Sequence, residues 1–408
     1  MASRSVLVSG ASIAGPALAH WLHRAGWAVT VVERFDGLRE AGQNIDVRGA
    51  GREVVRRMGL EEQILAARTG ELGSTIVDGQ GRSLASFAAG TSDGDGLTAE
   101  MEILRGDFAR LLHESTARDV EYVFGDQITA LDDTGDAVTA SFLNGPARTF
   151  DAVVVAEGLT SRTRSLVLPD AEVTGLGLYM AYLTIERTAA DDDWWRWYFA
   201  PGGRQVTLRP DNHGTIRATL SVASSVGGLE DLEPADQARI LRRTFRGAGW
   251  ETERVLAALD RDAFYFDAVG QMRIPRWSRG RVGLVGDAAY CPSPLSGMGT
   301  SLSLVGAYVL AGELASAPDP LGAFARFETL MRPYVDRAQK LLPGAPAIVH
   351  PRSRAGVAAL RTAVRLAGSP LARRLGGVAG RVIAPPADAI ELPRYPALRE
   401  TGHPAGLA

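Results

Sequence analysis

The chain has 408 residues, 46% of them hydrophobic and 22% charged, which suits a soluble enzyme of two lobes with ample buried core. A formal net charge of -3, with no block of like charges, excludes the basic stripe that nucleic-acid binding needs. The single cysteine, Cys291, excludes an internal disulfide and a thiolate metal cluster, and the six scattered histidines give no metal-ligand spacing.

At the N-terminus, Arg4 before an apolar stretch and Ala17-Leu18-Ala19 imitate a secretory signal, but Gly10 and Pro16 interrupt the run. No uninterrupted apolar run reaches the roughly eighteen residues of a membrane span, so a cytoplasmic protein without stable membrane insertion is expected. Ser5-Val6-Leu7-Val8-Ser9 has the β-branched composition of a parallel strand covered on both faces. A helix follows from about Ile13, with Pro16 in its first turn, Leu18, Trp21 and Leu22 on one face, and Gly26 as its stop. Ala28–Val32 is a second buried strand ending in Glu33, which completes a βαβ unit.

Residues 72 to 98 break into Gly-, Ser- and Asp-rich turns around short strand-like pieces. Then come a helix with Phe108, Leu111 and Leu112 on one face, short strands at Tyr122–Phe124 and Val138–Phe142, and a buried strand at Ala152–Ala156. From Gly175 to about Arg273 the pattern is alternating: Leu178–Ile185, Trp195–Ala200, Gln205–Arg209 and Thr215–Val222, with a hairpin turn at Asp211-Asn212-His213-Gly214. A helical stretch at Pro234–Arg246, a parallel-type strand at Arg281–Val285, an apolar helix at Gly299–Ala315 and an Ala-, Leu- and Arg-rich tail complete the chain. The layout predicts an α/β nucleotide-binding lobe interrupted by a mostly antiparallel sheet domain.

Three motifs carry chemistry. The first is Gly10-Ala11-Ser12-Ile13-Ala14-Gly15 between strand and helix, with Glu33 and Arg34 closing the next strand. Glycine opens such a turn and lets helix pack on strand, the helix N-terminus attracts phosphates, and a carboxylate at Glu33 suits ribose hydroxyls. Ser12 stands where a second glycine is usual. The same stretch offers a rival reading as a nucleophile elbow with Ser12 attacking an ester, but an elbow normally follows several strands, and no downstream acid–histidine pairing is persuasive.

The second motif is Gly283-Leu284-Val285-Gly286-Asp287-Ala288-Ala289, followed by Pro292, Pro294 and Gly297-Met298-Gly299. Here the sequence resembles the p-hydroxybenzoate hydroxylase-like (group A) flavin monooxygenases. The resemblance implies that Asp287 holds the ribityl chain of FAD and that the proline–glycine segment lies against the flavin ring. Helix-terminal N–H groups there suit an anionic reduced flavin. The third motif, Ala156-Glu157-Gly158-Leu159-Thr160-Ser161-Arg162-Thr163-Arg164, resembles the family's Asp-Gly motif, associated with FAD and NAD(P)H, with Glu157 in place of aspartate. The bland alternative is a strand end with Ser161 capping a helix. Arg105 matches a family arginine that contacts FAD. Gln43-Asn44-Ile45-Asp46-Val47-Arg48 resembles the flavin-side loop of the tetracycline-inactivating, polyketide-modifying branch. Ser301 and Gly306 depart from the family's asparagine and aspartate.

By this resemblance the fold is a Rossmann-type, mixed three-layer FAD-binding lobe (1–71, 99–172 and 278–330) interrupted by substrate-domain strands (72–98 and 173–277), with bridging helices and a tail at 331–408. NADPH or NADH would dock transiently, since no second Gly-rich nucleotide motif is present. A C4a-hydroperoxide of the flavin would then hydroxylate an aromatic or polyketide-like small molecule, in a monomer or homodimer. Trp197, Tyr182, Arg209 and Pro292 are the candidate substrate contacts, with packing as the competing role for the aromatics. No side chain stands out as general base. An oxidase or dehydrogenase, or a flavoprotein that only sequesters a ligand, remain the alternatives.

Overall fold

Two large β-sheets organise the chain in the computed structural model, which describes residues 3–39, 42–89, 99–261, 263–369 and 386–398. The first sheet has six strands in the order Ser278–Arg279, Val282–Leu284, Ala152–Val155, Ser5–Ser9, Ala28–Glu33 and Glu121–Phe124. All neighbours are parallel except the Ser278–Arg279 edge strand. Its central strands are continuous apolar runs because both faces are covered: Val6, Leu7, Val8, Val153, Val154 and Val155 are all fully buried. Helices Ala14–Arg24 and Gly299–Ser316 pack together over it. The second helix is apolar on every side because helices Ala50–Met58 and Pro320–Ala338 also enclose it. A three-stranded antiparallel sheet, Ile128–Asp133, Val138–Phe142 and Arg148–Phe150, stands beside this lobe.

The second large sheet has seven strands: Tyr265–Met272, Val173–Glu186, Thr215–Ala223, Arg204–Pro210, Trp195–Ala200, Gly73–Val77 and Ser83–Ala88. It is antiparallel except where Trp195–Ala200 meets Gly73–Val77. Strand alternation gives it two unlike faces. Tyr179, Ala181, Leu183, Val206, Leu208 and Leu220 build a separate apolar core with residues of helices Pro234–Phe245 and Thr252–Ala258. The opposite face carries Trp197, Thr207, Thr219, Tyr182 and Tyr265 in one cross-strand row.

Several expectations shift. The long strand begins at Val173 rather than Leu178, because a register irregularity between Gly175 and Leu178 absorbs the glycines. The Tyr265–Met272 strand, and the small sheet pairing Asn44–Asp46 with Glu102–Leu104, were not legible as strands. Helix Pro320–Ala338 runs through the expected limit at residue 330, so that limit falls inside a helix.

The C-terminal part touches both sheets. Gly202 and Gly203 donate backbone N–H to the carbonyls of Arg352 and Pro351 at 2.8 and 3.2 Å, and helix Arg354–Ala367 lies against strand Ser83–Ala88. Residues 386–398 return to the first lobe. There the Ala387 carbonyl accepts from Ala50 N–H at 3.2 Å and from the Tyr334 hydroxyl at 3.1 Å. Among the described residues no helix is long and apolar enough to cross a membrane, and no group of three or more His, Cys, Asp or Glu side chains is placed to hold a metal ion.

Candidate functional site

The first glycine turn sits where strand Ser5–Ser9 ends. Gly10 has φ +111°, and a Cβ there would lie 2.6 Å from the Ala156 carbonyl oxygen, while one on Gly15 would lie 1.9 Å from the Gly10 oxygen. Both glycines are therefore required by close packing of helix on strand. Ile13 and Ala14 begin helix Ala14–Arg24, whose N-terminal N–H groups have no side-chain cap and are free to meet an anion. Ser12 accepts a hydrogen bond from Arg105 Nη1 at 3.1 Å. Among the described residues the side-chain partner of Ser12 is this arginine and no histidine hydrogen-bonds it, which counts against the nucleophile reading. Glu33 accepts from Ala11 N–H at 2.8 Å and Phe35 N–H at 3.2 Å, which fixes its carboxylate against the turn. Beside it a cavity of about 420 Å³ is lined by Arg34, Phe35, Gln127, Leu143 and Arg162.

The second motif faces the first. A Cβ on Gly286, which has φ +66°, would come within 2.9 Å of the Ala14 side chain, so the two motifs meet there. Asp287 opens the short helix Asp287–Tyr290. Burial pushes its carboxyl above the usual range, against the Cys291 thiol that hydrogen-bonds it and the positive charge of Arg105. Arg105 in turn is depressed by burial and by Arg39, with Tyr265, Asp287 and Tyr182 acting in opposition. After Pro292, whose carbonyl accepts from Gln271 at 2.9 Å, Ser293 holds φ +76° and buries a hydroxyl without a hydrogen-bond partner among the described residues. Strain and an orphaned hydroxyl in one residue mark a stretch shaped for something other than its own stability. Pro294–Ser296 forms a 3-10 turn, Gly297 is left-handed, and Met298 precedes helix Gly299–Ser316, which also lacks a side-chain cap.

Both departures from the family pattern have local reasons. Ser301 accepts from Arg48 N–H at 3.0 Å and donates to the Arg48 carbonyl at 3.1 Å, pinning the 44–48 loop to the start of the apolar helix. A Cβ on Gly306 would lie 1.9 Å from the Tyr290 hydroxyl, so the tyrosine fills the space a side chain would need.

Two expected contacts are spent inside the protein. Glu157 accepts from the Ser9 hydroxyl at 2.5 Å, the Ser161 hydroxyl at 2.7 Å, and Thr163 N–H at 3.0 Å. Its carboxylate ties the strand end to the following helix, while Gly158, with φ +82°, makes the turn. Arg209 is 7% exposed, with Nε 2.5 Å from Glu71, Nη2 2.7 Å from Glu102, and its guanidinium 4.0 Å over the Trp195 ring. It is a joint between the second sheet and strand Glu102–Leu104 rather than a free cation for substrate. Asp46 borders the same cluster, 3.3 Å from Arg48 and 3.9 Å from Arg209. Burial raises the Glu102 carboxyl, with Arg209 opposing and Glu71 and Asp46 adding to the rise.

Tyr182 and Trp197 lie in the polar–aromatic row of the second sheet, Tyr182 stacked on Tyr265 at 6.2 Å. Gln205, Thr207 and Thr219 share that face and were not singled out from sequence. Period-2 alternation against Val206, Leu208 and Leu220 was the available signal.

The model of the FAD binding domain family matches residues 3–323. An uncharacterized protein of Mycobacterium tuberculosis (strain ATCC 25618 / H37Rv) is 40% identical over 346 residues, covering 83% of this chain and 92% of that one. A flavin-dependent monooxygenase of Legionella longbeachae is 37% identical over 344 residues, covering 82% and 87%. The crystal structure of the tetracycline destructase Tet(55) superposes with a TM-score of 0.79 at 33% identity, over 96% of this chain and 99% of that one. The chain belongs to the FAD binding domain family and is a flavin-dependent monooxygenase with FAD as its cofactor.

Proposed function

We propose that this enzyme uses NADPH or NADH and O2 to hydroxylate an electron-rich aromatic or polyketide-like small molecule held between the two sheets. The observation that carries this reading is Arg105: it binds Ser12 in the glycine turn and acts electrostatically on Asp287, Tyr182 and Tyr265. One side chain thus links both glycine motifs to the polar–aromatic face of the second sheet. Tet(55), named for the destruction of tetracycline, a polyketide, supports the substrate class.

In this reading the six-stranded sheet carries FAD and the seven-stranded sheet carries the substrate. When bound, FAD would supply the redox chemistry, by which two electrons from the nicotinamide reduce O2 so that one oxygen atom enters the substrate and the other leaves as water. Glu33 and Arg34 hold the adenosine end. Ser12, Arg105 and the N–H groups of Ile13, Ala14 and Gly15 hold the diphosphate. Asp287 would take the ribityl hydroxyls, and Pro294, Gly297, Met298, Gly299, Asp46 and Arg48 would border the ring. Tyr182, Trp197 and Pro292 flank the substrate, and the sheet face excludes water from it.

The visible spectrum of the purified protein, with identification of the released chromophore, tests the first half. NAD(P)H oxidation screened against phenols and polyketides, with product mass, tests the second. Asp287→Ala is expected to lose most bound FAD; full FAD content and turnover would overturn the site. Reduction of the flavin by substrate without NAD(P)H would point to an oxidase instead.

A further inference from the structure

We propose that Glu102 carries a proton in the resting enzyme and is a positioning residue for the flavin. By taking up or releasing that proton it sets the charge of a buried cluster behind the flavin-side loop, and with it the reduction potential of bound FAD. This rests on the reading above, in which Asp46 and Arg48 border the ring.

The cluster is drawn from distant parts of the chain. Asp46 and Arg48 come from the 44–48 loop, Glu71 from the segment before strand Gly73–Val77, Glu102 from strand Glu102–Leu104, and Arg209 from the second sheet. None of these side chains is more than 12% exposed. Three carboxyls therefore face two guanidiniums away from solvent, and a fully ionised cluster keeps one negative charge in excess, which burial penalises. Register sharpens the conflict. Asp46 and Glu102 lie directly opposite each other in their antiparallel pair, and like charges so placed repel.

Hydrogen bonding decides which carboxyl keeps the proton. Glu71 accepts from Arg209 Nε at 2.5 Å. Asp46 accepts from Arg48 Nη2 at 3.3 Å and from Ala99 N–H at 3.2 Å. Glu102 accepts from the Thr69 hydroxyl, but its Oε1, although 2.7 Å from Arg209 Nη2, has no aligned hydrogen bond among the described residues. Glu102 is thus the least compensated of the three. Burial pushes it up to about 8, with Arg209 opposing and Glu71 and Asp46 adding to the rise. The charge reaches the cofactor through the loop, because both backbone groups of Arg48 are bonded to Ser301 in the first turn of helix Gly299–Ser316. A hydride from the nicotinamide brings two electrons and one proton and leaves the flavin one unit more negative. A neutral Glu102 makes that added charge easier to accept than an ionised one. Reduction in turn strengthens proton binding at Glu102 by the same factor.

The test measures the reduction potential of the FAD-loaded enzyme from about pH 6.5 to 9 in the parent, Glu102→Gln and Glu71→Gln. Glu102→Gln fixes the neutral form. Glu71→Gln leaves two carboxyls for two guanidiniums, so Glu102 ionises at lower pH. Parent and Glu102→Gln are expected to agree at the acid end, and at the alkaline end the parent's flavin should be about three- to tenfold harder to reduce. Glu71→Gln should lack that alkaline loss. Urea midpoints of the loaded enzyme read the proton itself. A carboxyl protonated only in the folded state loses stability as pH rises, so the parent's midpoint should fall relative to Glu102→Gln between about pH 6 and 8. Equal potentials in parent and Glu102→Gln throughout, an alkaline loss kept in Glu71→Gln, or parallel urea midpoints would overturn the proposal. Should Glu102→Gln fail to fold, the comparison of parent with Glu71→Gln decides. A parent that holds no FAD would instead defeat the functional reading, so the two failures are separable.

Discussion

His213 Nε2 stands 3.0 Å from Asp107 Oδ2, joining the hairpin tip of the second sheet to the helix that Arg105 opens. Asn212 donates to the same oxygen at 3.1 Å. The hairpin itself is stiffened by Asp211, which accepts from His213 N–H and Thr215 N–H at 3.0 and 2.8 Å. Asp107 is thus one tie between the helix of Arg105 and the second sheet, beside the ion pairs of Arg209 with Glu71 and Glu102. Asp107→Ala removes both contacts and is expected to cost about 1–2 kcal/mol, with faster hydrogen exchange at residues 211–215. Parental melting temperature and exchange would show that other contacts hold the sheet to the helix.

Because Glu157 is occupied by Ser9, Ser161 and Thr163, its replacement should act on stability before it acts on the cofactor. Glu157→Gln is expected to destabilise the protein by about 1–2 kcal/mol, lowering the melting temperature equally with and without FAD. A loss seen only in the FAD-loaded form would restore direct contact with the cofactor.

At Gly306 the outcome is steric. Gly306→Ala would drive a methyl group into the Tyr290 hydroxyl and is expected to destabilise by about 1–3 kcal/mol. The double change Gly306→Ala with Tyr290→Phe removes the blocking oxygen and should recover part of that loss. No recovery in chemical denaturation would place the strain elsewhere.

The acid limb of stability should report His350. It is 1% exposed, its Nε2 lies 2.7 Å from the Ser221 hydroxyl, and burial depresses it to about 4. The folded state therefore favours neutral imidazole. That contribution is complete above the unfolded value near 6.5 and is lost as pH falls toward 4, with an upper bound of about 3 kcal/mol. His20, depressed to about 3 by burial, acts in the same direction. Urea midpoints at pH 7.5 and 5.0 should fall less for His350→Gln than for the parent. Identical slopes would mean that His350 is not buried neutral in solution.

The nucleotide-binding lobe was legible because its signals are local. A β-branched run, a glycine turn and an apolar helix lie within the first 33 residues, and Asp287 through Gly299 forms one continuous segment. The ion pairs of Arg209 were not legible because Glu71 and Glu102 are distant in sequence, and a polar residue among Val206 and Leu208 announces a face without naming its partner. For Glu157 the sequence offered a cofactor-associated motif and a strand end beside a capped helix, because a motif gives the position of a carboxylate and not its direction; the carboxylate bonds Ser9, Ser161 and Thr163. The Tyr265–Met272 strand escaped because Asp267, Gly270 and Gln271 interrupt the apolar alternation. Two of these take up special positions: Gly270 lies close against Val173, and Gln271 binds the Pro292 and Gln339 carbonyls.

The return of residues 386–398 to the first lobe has a practical consequence for handling the enzyme. A Cβ on Gly49 would lie 2.6 Å from the Ala387 carbonyl, and Ala387 also meets Ala50 and Tyr334, so the late chain is wedged behind the loop that carries Arg48. The family match ends at residue 323, and a domain boundary drawn there would look natural from alignment alone. Cutting at that point would remove the back wall of the 44–48 loop. A truncated form that fails to hold its yellow colour would therefore be reporting a missing brace rather than a missing ligand contact.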